Sequence, residues 1–144
     1  MVTIRDIDEK NWGVELKVLP SQRHHVACSD IIMARAYAYR RFRSRAFIVY
    51  DDKVPVGMGL YYDNPECGCY DISQFFIDER YQHCGYGRKA MELVLDTLKQ
   101  ERKFPRVELG CMEDNPVSRK FYAQLGFEEA ECIYGEITMR LEFK

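Results

Sequence analysis

The amino-acid sequence predicts a mixed α/β domain with a central, mostly antiparallel sheet and one parallel β-α-β crossover, flanked by helices. Several β-rich runs separated by turn residues occupy the middle of the chain. An apolar stripe at helical spacing follows the last of these runs, and a strand, a helix and two further strands complete the order. This order requires a crossover connection, which we expect to be right-handed.

The first half of the chain is predicted to contain a strand, two helices and a three-stranded meander. The first strand covers Val2–Asp6. A short helix is predicted over Asn11–Lys17 with Asn11 as its N-cap, and a second runs from a cap at Ser29 or Asp30 to about Arg40. The meander consists of three β-rich runs: Ala46–Tyr50, Val54–Tyr62 and Tyr70–Ile77.

The second half begins with an amphipathic helix, whose apolar residues recur at helical spacing: Ala90, Met91, Val94, Leu95 and Leu98. Pro105 ends this segment, and alternating apolar residues predict a strand over Arg106–Cys111. Asn115 and Pro116 then suit the N-cap and first position of another helix, which Gly126 closes. The last two strands are predicted at Glu129–Ile133 and Glu136–Phe143.

Length, composition and charge exclude several classes of protein. The 144 residues suit one domain over residues 1–144, and 47% hydrophobic with 31% charged residues is the composition of a folded chain. A net charge of −2 makes nucleic acid an unexpected partner, because phosphate backbones need clustered Lys and Arg. The sequence opens without a signal-peptide pattern and has no run near the ~18 apolar residues of a membrane span. We therefore expect a cytoplasmic protein without membrane association.

The cysteines and histidines do not form a familiar metal motif. Of the six cysteines, only Cys67 and Cys69 are closely spaced, and no second pair accompanies them. The adjacent His24 and His25 lack the spacing that places two ligands on one helix face. We expect free thiols and no metal.

A turn with two glycines, Gly85-Tyr86-Gly87, separates a predicted strand from a predicted helix. A helix N-terminus offers unpaired N–H groups and a partial positive charge, and glycines let a ligand approach the backbone. The turn therefore suits a phosphate, although a plain strand-to-helix turn remains an alternative. It also matches G-x-G-x-x-A, the dinucleotide fingerprint, but the hairpins before it oppose that interpretation. A P-loop motif is absent.

Two sequence blocks point to one family. Gln82–Gly87 matches Q/R-x-x-G-x-G/A directly after a strand, and Asn115–Phe127 matches N-x-x-[AS]-x-x-x-Y-x-x-x-G-F. Together, in this order, they resemble the GNAT superfamily of N-acetyltransferases over about residues 45–143. The resemblance implies the GNAT-like acyl-CoA N-acyltransferase fold, acetyl-CoA as donor, an amine as acceptor and a homodimer.

The resemblance also implies roles for individual residues. The backbone that would hold the pyrophosphate of coenzyme A comprises Gln82, His83, Cys84, Gly85, Tyr86, Gly87 and Arg88. Phe76 and Ile77 would pair with the pantetheine arm, and Asn115 would touch the same arm. Tyr122 would stand near the thioester sulfur.

Aminolysis of a thioester defines the catalytic groups to look for. An alkylamine of pKa ~10 costs about 4 kcal/mol to deprotonate at pH 7, so a base must take its proton. The departing thiolate needs a proton, and we predict that the Tyr122 hydroxyl donates it, unless this side chain only packs on the helix face.

The predicted base is less sharply defined. The candidates are Asp71 and Ser73 on the strand before the turn, with Glu108 and Glu113 as alternatives. Strand alternation predicts that Asp71, Ser73 and Phe75 share one face, opposite Ile72 and Gln74.

The acceptor is predicted to be a small cationic amine, with polyamines and diamines as the candidate class. Three stretches resemble the polyamine and diamine acetyltransferase branch: Leu16–Ala27, Phe75–Gln82 and Gly135–Phe143. That branch tends to carry an acid where this chain has Ser73, and Asp71 lies two residues earlier. Acids expected near the mouth of the site would attract a cation: Asp63, Glu66, Asp71, Glu113 and Asp114. A protein or peptide acetyltransferase, a noncatalytic coenzyme A-binding module and a dinucleotide enzyme remain alternatives.

Overall fold

Seven strands form one sheet in the order β1-β2-β3-β4-β5-β7-β6 in the computed structural model, which describes residues 1–144. Only β4 and β5 are parallel; every other neighbouring pair is antiparallel. The predicted mixed sheet with one parallel crossover is confirmed. The strands are β1 (Val2–Asp6), β2 (Arg45–Asp51), β3 (Val54–Asn64), β4 (Cys69–Ile77), β5 (Arg106–Met112), β6 (Glu128–Ile133) and β7 (Glu136–Glu142).

Three α-helices cover the two faces of this sheet: α1 (Ser29–Ala38), α2 (Tyr86–Glu101) and α3 (Pro116–Gln124). All five residues of the predicted stripe on α2 are buried, and they belong to the larger of two apolar clusters. The smaller cluster lies on the other side of the sheet and contains Ile32 of α1. The sheet therefore has an α2 face and an α1 face. No helix combines the length and the hydropathy needed to cross a membrane.

The predicted helix at Asn11–Lys17 is wrong. The Asn11 side chain turns back toward β1: its Oδ1 accepts the N–H of Asp8 at 2.8 Å and its Nδ2 donates to the carbonyl of Asp6 at 3.0 Å. Beyond this turn the chain is extended, and Leu16 and Val18 are buried in the smaller cluster at alternate positions. A spacing of two between buried residues is typical of extended chain, and tertiary burial has overridden the local capping signal.

The boundaries of α1 also differ from the prediction. Cys28 is the N-cap rather than Ser29 or Asp30, and no side chain caps the helix. The α-helix ends at Ala38 and a 3-10 turn follows at Arg40–Phe42, so the predicted end at Arg40 lies in a tighter turn. Helix ends commonly tighten in this way.

A bulge in β4 changes which side chains share a face. Gln74 pairs with Leu60 and Ile72 with Tyr61, so Ser73 has no partner on β3. Ile72 and Phe75 both pack with the larger cluster on the α2 face, whereas Gln74 bonds to Ala27 on the α1 side. The predicted grouping of Ser73 with Phe75 is therefore wrong, because one extra residue resets the alternation.

Next to the bulge, β4 separates from β5. The parallel ladder pairs Tyr70–Ile72 with Val107–Leu109 and goes no further. From Ser73 to Ile77, the edge of β4 that faces β5 has no strand partner, so its backbone groups are available to a ligand. The diverging strands open the space in which the candidate site lies.

Candidate active site

Two cavities meet between the diverging strands. One, which we call the turn groove, has a volume of about 470 Å³ and lies along the end of β4 and the start of α2. The other, which we call the inner cavity, has a volume of about 370 Å³ and lies between β4, β5 and α1. The side chains that line both are Val26, Phe75, Ser118 and Tyr122. This arrangement provides two adjoining binding spaces that share the side chain of Tyr122.

The start of α2 offers free backbone donors to the turn groove. No side chain caps this helix, and its first internal bond runs from the Lys89 N–H to the Gly85 carbonyl at 3.3 Å. The N–H groups of the first helical turn therefore lack internal partners, and the helix dipole adds partial positive charge. Gly85 has φ 82°, which explains the glycine at this position.

Gln82 fixes the turn to the end of β4. Its Nε2 donates to the Ile77 carbonyl at 2.6 Å, and the Cys84 thiol donates to the Gln82 carbonyl at 3.4 Å. His83 between them has φ 61°, a left-handed conformation. These bonds hold the turn open beside the groove, with Cys84 exposed.

The structure brings together nearly all of the residues predicted to contact coenzyme A. Nine of the predicted positions line the turn groove: Phe76, Ile77, Gln82, His83, Cys84, Gly85, Tyr86, Gly87 and Arg88. Asn115 instead lines the inner cavity. Its Oδ1 accepts the Ser118 N–H at 3.3 Å, and its Nδ2 donates to Gln22 Oε1 at 3.1 Å, so this side chain caps α3 and holds the loop over the site.

Tyr122 stands where the two cavities join. Its ring packs edge-on against Phe121 and Phe127 at centroid distances of 5.0 and 5.6 Å. Burial and the nearby Cys111 raise the pKa of its hydroxyl well above the usual value, so the group stays protonated at neutral pH. The hydroxyl forms no hydrogen bond with a protein group, and it is accessible from the cavity. It is therefore available to a ligand.

Asp71 contributes an unusual carboxyl group to the inner cavity. Burial raises its pKa from 3.8 to about 6, and the negative charges of Glu108 and Glu136 act in the same direction. Asp71 forms neither an ion pair nor a side-chain hydrogen bond, so nothing in the protein stabilises its charged form. A carboxyl group with a pKa near neutrality, in a cavity, is suited to proton transfer.

The other predicted bases are less suited to proton transfer. Ser73 accepts a hydrogen bond from Arg35 Nη1 at 3.1 Å and lines the inner cavity. Glu108 is bound by Arg106 at 3.3 Å and Arg140 at 2.9 Å, and does not line the cavity. Glu113 is exposed beyond β5.

Not all of the acids expected near the mouth of the site lie there. Asp63 is 6% exposed and forms ion pairs with Arg43 and Lys103, so its charge is neutralised away from both cavities. Glu66 is exposed in the turn between β3 and β4. Asp71 is the one member of the set that lines the inner cavity, and Glu136 of β7 adds a second carboxylate.

Sequence reasoning missed several residues that the fold brings to the site. Four of them come from segments far apart in the chain. Gln22 and His25 lie before α1, Arg35 lies on α1, and Glu136 lies on β7. No motif marks them. A methyl group on Gly110 would collide with the Glu136 carboxylate, so this glycine makes room for an acid from the next strand.

The fold adds a third candidate metal ligand to His24 and His25, for which the sequence predicted no metal site. Asp114 lies so close that the ligand atoms of His24, His25 and Asp114 are all within 4.8 Å of one another, and His25 Nε2 is 3.8 Å from Asp114 Oδ1. The third side chain comes from the loop before α3, which the sequence pattern could not show. That the protein needs no metal stays a prediction.

The mixed sheet, the diverging parallel strands and the uncapped helix beside a groove define an α/β protein with an anion-binding site in the opening of its sheet. The model of the acetyltransferase (GNAT) family matches residues 3–127. The chain belongs to this family and is an acetyl-CoA-dependent acetyltransferase.

Known proteins resemble the chain over nearly its whole length. The spermine/spermidine N(1)-acetyltransferase of Bacillus subtilis (strain 168) is 26% identical over 133 residues, which are 88% of each chain. An acetyltransferase from Thermus thermophilus has the same fold, with a TM-score of 0.80 at 18% identity over 99% of this chain and 97% of that one. The PaiA N-acetyltransferase of Thermoplasma acidophilum, solved with coenzyme A, gives a TM-score of 0.75 at 11% identity over 99% of both chains.

Proposed function

We propose that this enzyme transfers the acetyl group of acetyl-CoA to a primary amine of a small cationic substrate of the polyamine or diamine class. The observation that carries the proposal is the meeting of two separate cavities at one unpaired hydroxyl, Tyr122. One cavity is lined by the start of α2 with its free backbone donors, as a coenzyme requires, and the other contains acids, as an amine requires.

The turn groove would hold acetyl-CoA. Its pyrophosphate would accept hydrogen bonds from the N–H groups at Gly85–Arg88, where the helix dipole favours negative charge. The pantetheine arm would follow the unpaired edge of β4 near Phe76 and Ile77 and direct the thioester to Tyr122. Asn115 lies just beyond this point, on the acceptor side.

The reaction would proceed by direct attack. The neutral amine nitrogen bonds to the thioester carbonyl carbon, the carbon–sulfur bond breaks, and the amine loses a proton while the thiolate gains one. Asp71 would take the proton from the amine, directly or through water. Free N–H groups on the edge of β4 would stabilise the negative charge on the carbonyl oxygen.

Tyr122 would supply the proton of the leaving thiolate. Its pKa is raised by burial, so it is protonated whenever the enzyme is active. Because a thiol has a pKa of about 8.5, below that of this hydroxyl, the thiolate is a weaker base than the tyrosinate, and the transfer is completed only when Tyr122 regains a proton. The proton is then replaced from solvent or from the amine.

A small cationic amine is the acceptor class that the carboxylates of the inner cavity and the relative from Bacillus subtilis support. Asp71 and Glu136 line this cavity without ion-pair partners. The relative carries the name spermine/spermidine N(1)-acetyltransferase, although it shares 26% of aligned residues. Ser73 accepts a bond from Arg35 and remains close enough to contact an acceptor.

The assembly and the location of the enzyme complete the proposal. We propose a homodimer in the cytoplasm, with no membrane and no nucleic acid as partner and with no metal in the reaction. All six residues of β6 are exposed at the edge of the sheet, which leaves a strand edge open to another copy. Light scattering of the purified protein should give twice the mass of 17.0 kDa.

Release of free thiol from acetyl-CoA tests the proposed activity. The enzyme should be assayed with polyamines, diamines, amino acids, aminoglycosides and a peptide bearing a free amino group. We expect thiol release with one or more of the small cationic amines, and mass spectrometry should find one added acetyl group per product. Activity restricted to the peptide, or thermal stabilisation by NAD(H) alone, would contradict the proposal.

A further inference from the structure

The inner cavity contains one cation for which the proposed reaction has no use. Arg35 is half-buried on α1 and lines the cavity. Its Nη1 donates to Ser73 Oγ at 3.1 Å, and this is the one hydrogen bond of its side chain to the protein. A guanidinium group has five N–H donors, so most of the donors of Arg35 remain without a protein partner.

The acids of the same cavity do not neutralise this charge. None of the ion pairs in the structure includes Arg35, although Asp71 and Glu136 line the same space. The fold holds the charges apart: Ser73 anchors Arg35, β4 carries Asp71, and Glu136 lies over Gly110. Opposite charges attract strongly in a partly buried space, so a ligand that fits between them should carry both signs.

We propose that the acceptor carries a carboxylate in addition to its primary amine, and that Arg35 binds this carboxylate while Asp71 and Tyr122 receive the amine. Arginine suits this role, because its planar fork bonds both oxygens of a carboxylate. A diamine without a carboxylate would leave the guanidinium without a partner of opposite charge. A diamino acid satisfies every charge of the cavity and remains a small cationic amine. The inference rests on the proposed function and narrows its acceptor to diamines that also carry a carboxylate.

Matched pairs of acceptors test the inference, because they differ by a carboxylate alone. L-lysine is compared with cadaverine, and L-ornithine with putrescine, by measuring kcat/KM from thiol release at fixed acetyl-CoA. The wild-type enzyme should prefer each amino acid over its diamine by about tenfold or more, as expected for a charge-assisted bidentate contact. In Arg35→Met the ratio of kcat/KM for the amino acid to that for its diamine should fall toward one. In Arg35→Lys this ratio should lie between the values of the wild type and of Arg35→Met.

Arg41→Met is the matched control, since Arg41 is exposed on the turn after α1 and does not line the cavity. This variant should keep the wild-type ratio. If Arg35→Met does not fold, as judged by its thermal transition, Arg35→Gln replaces it because it keeps a polar side chain of similar length beside Ser73.

The outcomes separate this inference from the proposed function. Acetylation of diamines with a ratio that Arg35→Met leaves unchanged would overturn the inference and leave the proposed function standing. If no amine is acetylated, the proposed function fails, and calorimetric binding of the same pairs to the enzyme with coenzyme A decides the inference. Tighter binding of lysine than of cadaverine that is lost in Arg35→Met supports it, and equal binding in the wild type overturns it.

Discussion

Tyr122 and Asp71 line the same cavity and carry pKa shifts of the same sign for different chemical purposes. The raised pKa of Tyr122 keeps a donor protonated, and the raised pKa of Asp71 brings a carboxyl close to neutrality, where it can accept a proton. In both, burial is the main cause. The same two residues were predicted from the sequence as acid and base, and their roles remain proposals.

Replacing Tyr122 by Phe should remove the donor and keep the aromatic packing. We expect kcat to fall by about 10²–10³, because general acid catalysis contributes factors of this size, while the KM for acetyl-CoA changes little. Thermal denaturation should show a folded variant, since Phe121 and Phe127 still contact the ring. An unchanged kcat would show that Tyr122 only packs.

Replacing Asp71 by Asn should affect stability and activity in opposite directions. The native pKa of about 6 exceeds the unfolded value of 3.8, so the folded state binds more protons between these values. Stability of the wild type therefore falls as pH rises through this window, and the neutral Asn escapes this loss.

The Asn variant should thus melt at a higher temperature than the wild type above pH 6, with the difference vanishing below pH 4. Its kcat/KM should drop by about 10²–10⁴, and the rise in wild-type activity near pH 6 should disappear. Glu113→Gln, an exposed control, should show neither change. A variant that keeps the wild-type pH profile would contradict Asp71 as the base.

Two elements create the site by departing from regular geometry. The bulge in β4 turns Ser73 and Gln74 toward α1 and coincides with the point where β4 leaves β5. The start of α2 lacks a side-chain cap, which would otherwise occupy the donors needed by an anion. Each departure leaves some backbone N–H or C=O groups without a hydrogen-bond partner in the protein, and these groups are available to a ligand.

Gly87→Ala tests whether the start of α2 approaches a phosphate. A methyl group there would be 3.5 Å from the Phe121 ring and 3.6 Å from Ile77, which is ordinary contact. Because alanine favours helix, the free energy of unfolding should stay the same or rise by up to about 1 kcal/mol.

The KM of this variant for acetyl-CoA should nevertheless rise about tenfold, because the methyl group occupies space beside the pyrophosphate. Gly13→Ala, which is open to solvent and outside both cavities, serves as the control. If KM stays at the wild-type value while stability rises, the backbone at Gly87 does not meet the ligand.

In the molecule as a whole, acetyl-CoA would bridge elements that are otherwise joined by few bonds. The turn groove is formed by β4, α2, α3 and the loop held by Gln22 to Asn115. A ligand that contacts all four should stabilise the native state as a unit.

We expect acetyl-CoA at 100 times its Kd to add about 2.7 kcal/mol, or about 5–10 °C in Tm for a chain of this size. NAD(H) should give no shift. Differential scanning fluorimetry measures both, with the Gly87→Ala variant as a control that needs more acetyl-CoA for the same shift. Stabilisation by NAD(H) without stabilisation by acetyl-CoA would restore the dinucleotide interpretation of the glycine turn.

The sequence by itself determined the order of elements from β2 onward, the buried stripe of α2 and the part of the turn groove from Gln82 to Arg88. These features depend on local periodicity, on the positions of glycines and on the spacing of two short blocks. All three are properties of residues close together in the sequence. Burial of the stripe from Ala90 to Leu98 and the gathering of Gln82–Arg88 followed directly.

The tertiary structure alone decided the extended course of Leu16 and Val18, the faces of β4 and the charges of the inner cavity. The bulge at Ser73 depends on pairing with β3. A register shift of one residue moves every later side chain to the opposite face of the sheet. Arg35 and Glu136 line the same cavity as Asp71 because a helix and a distant strand converge on the same opening. Such convergence depends on packing between residues far apart in the sequence, so no local motif could predict it.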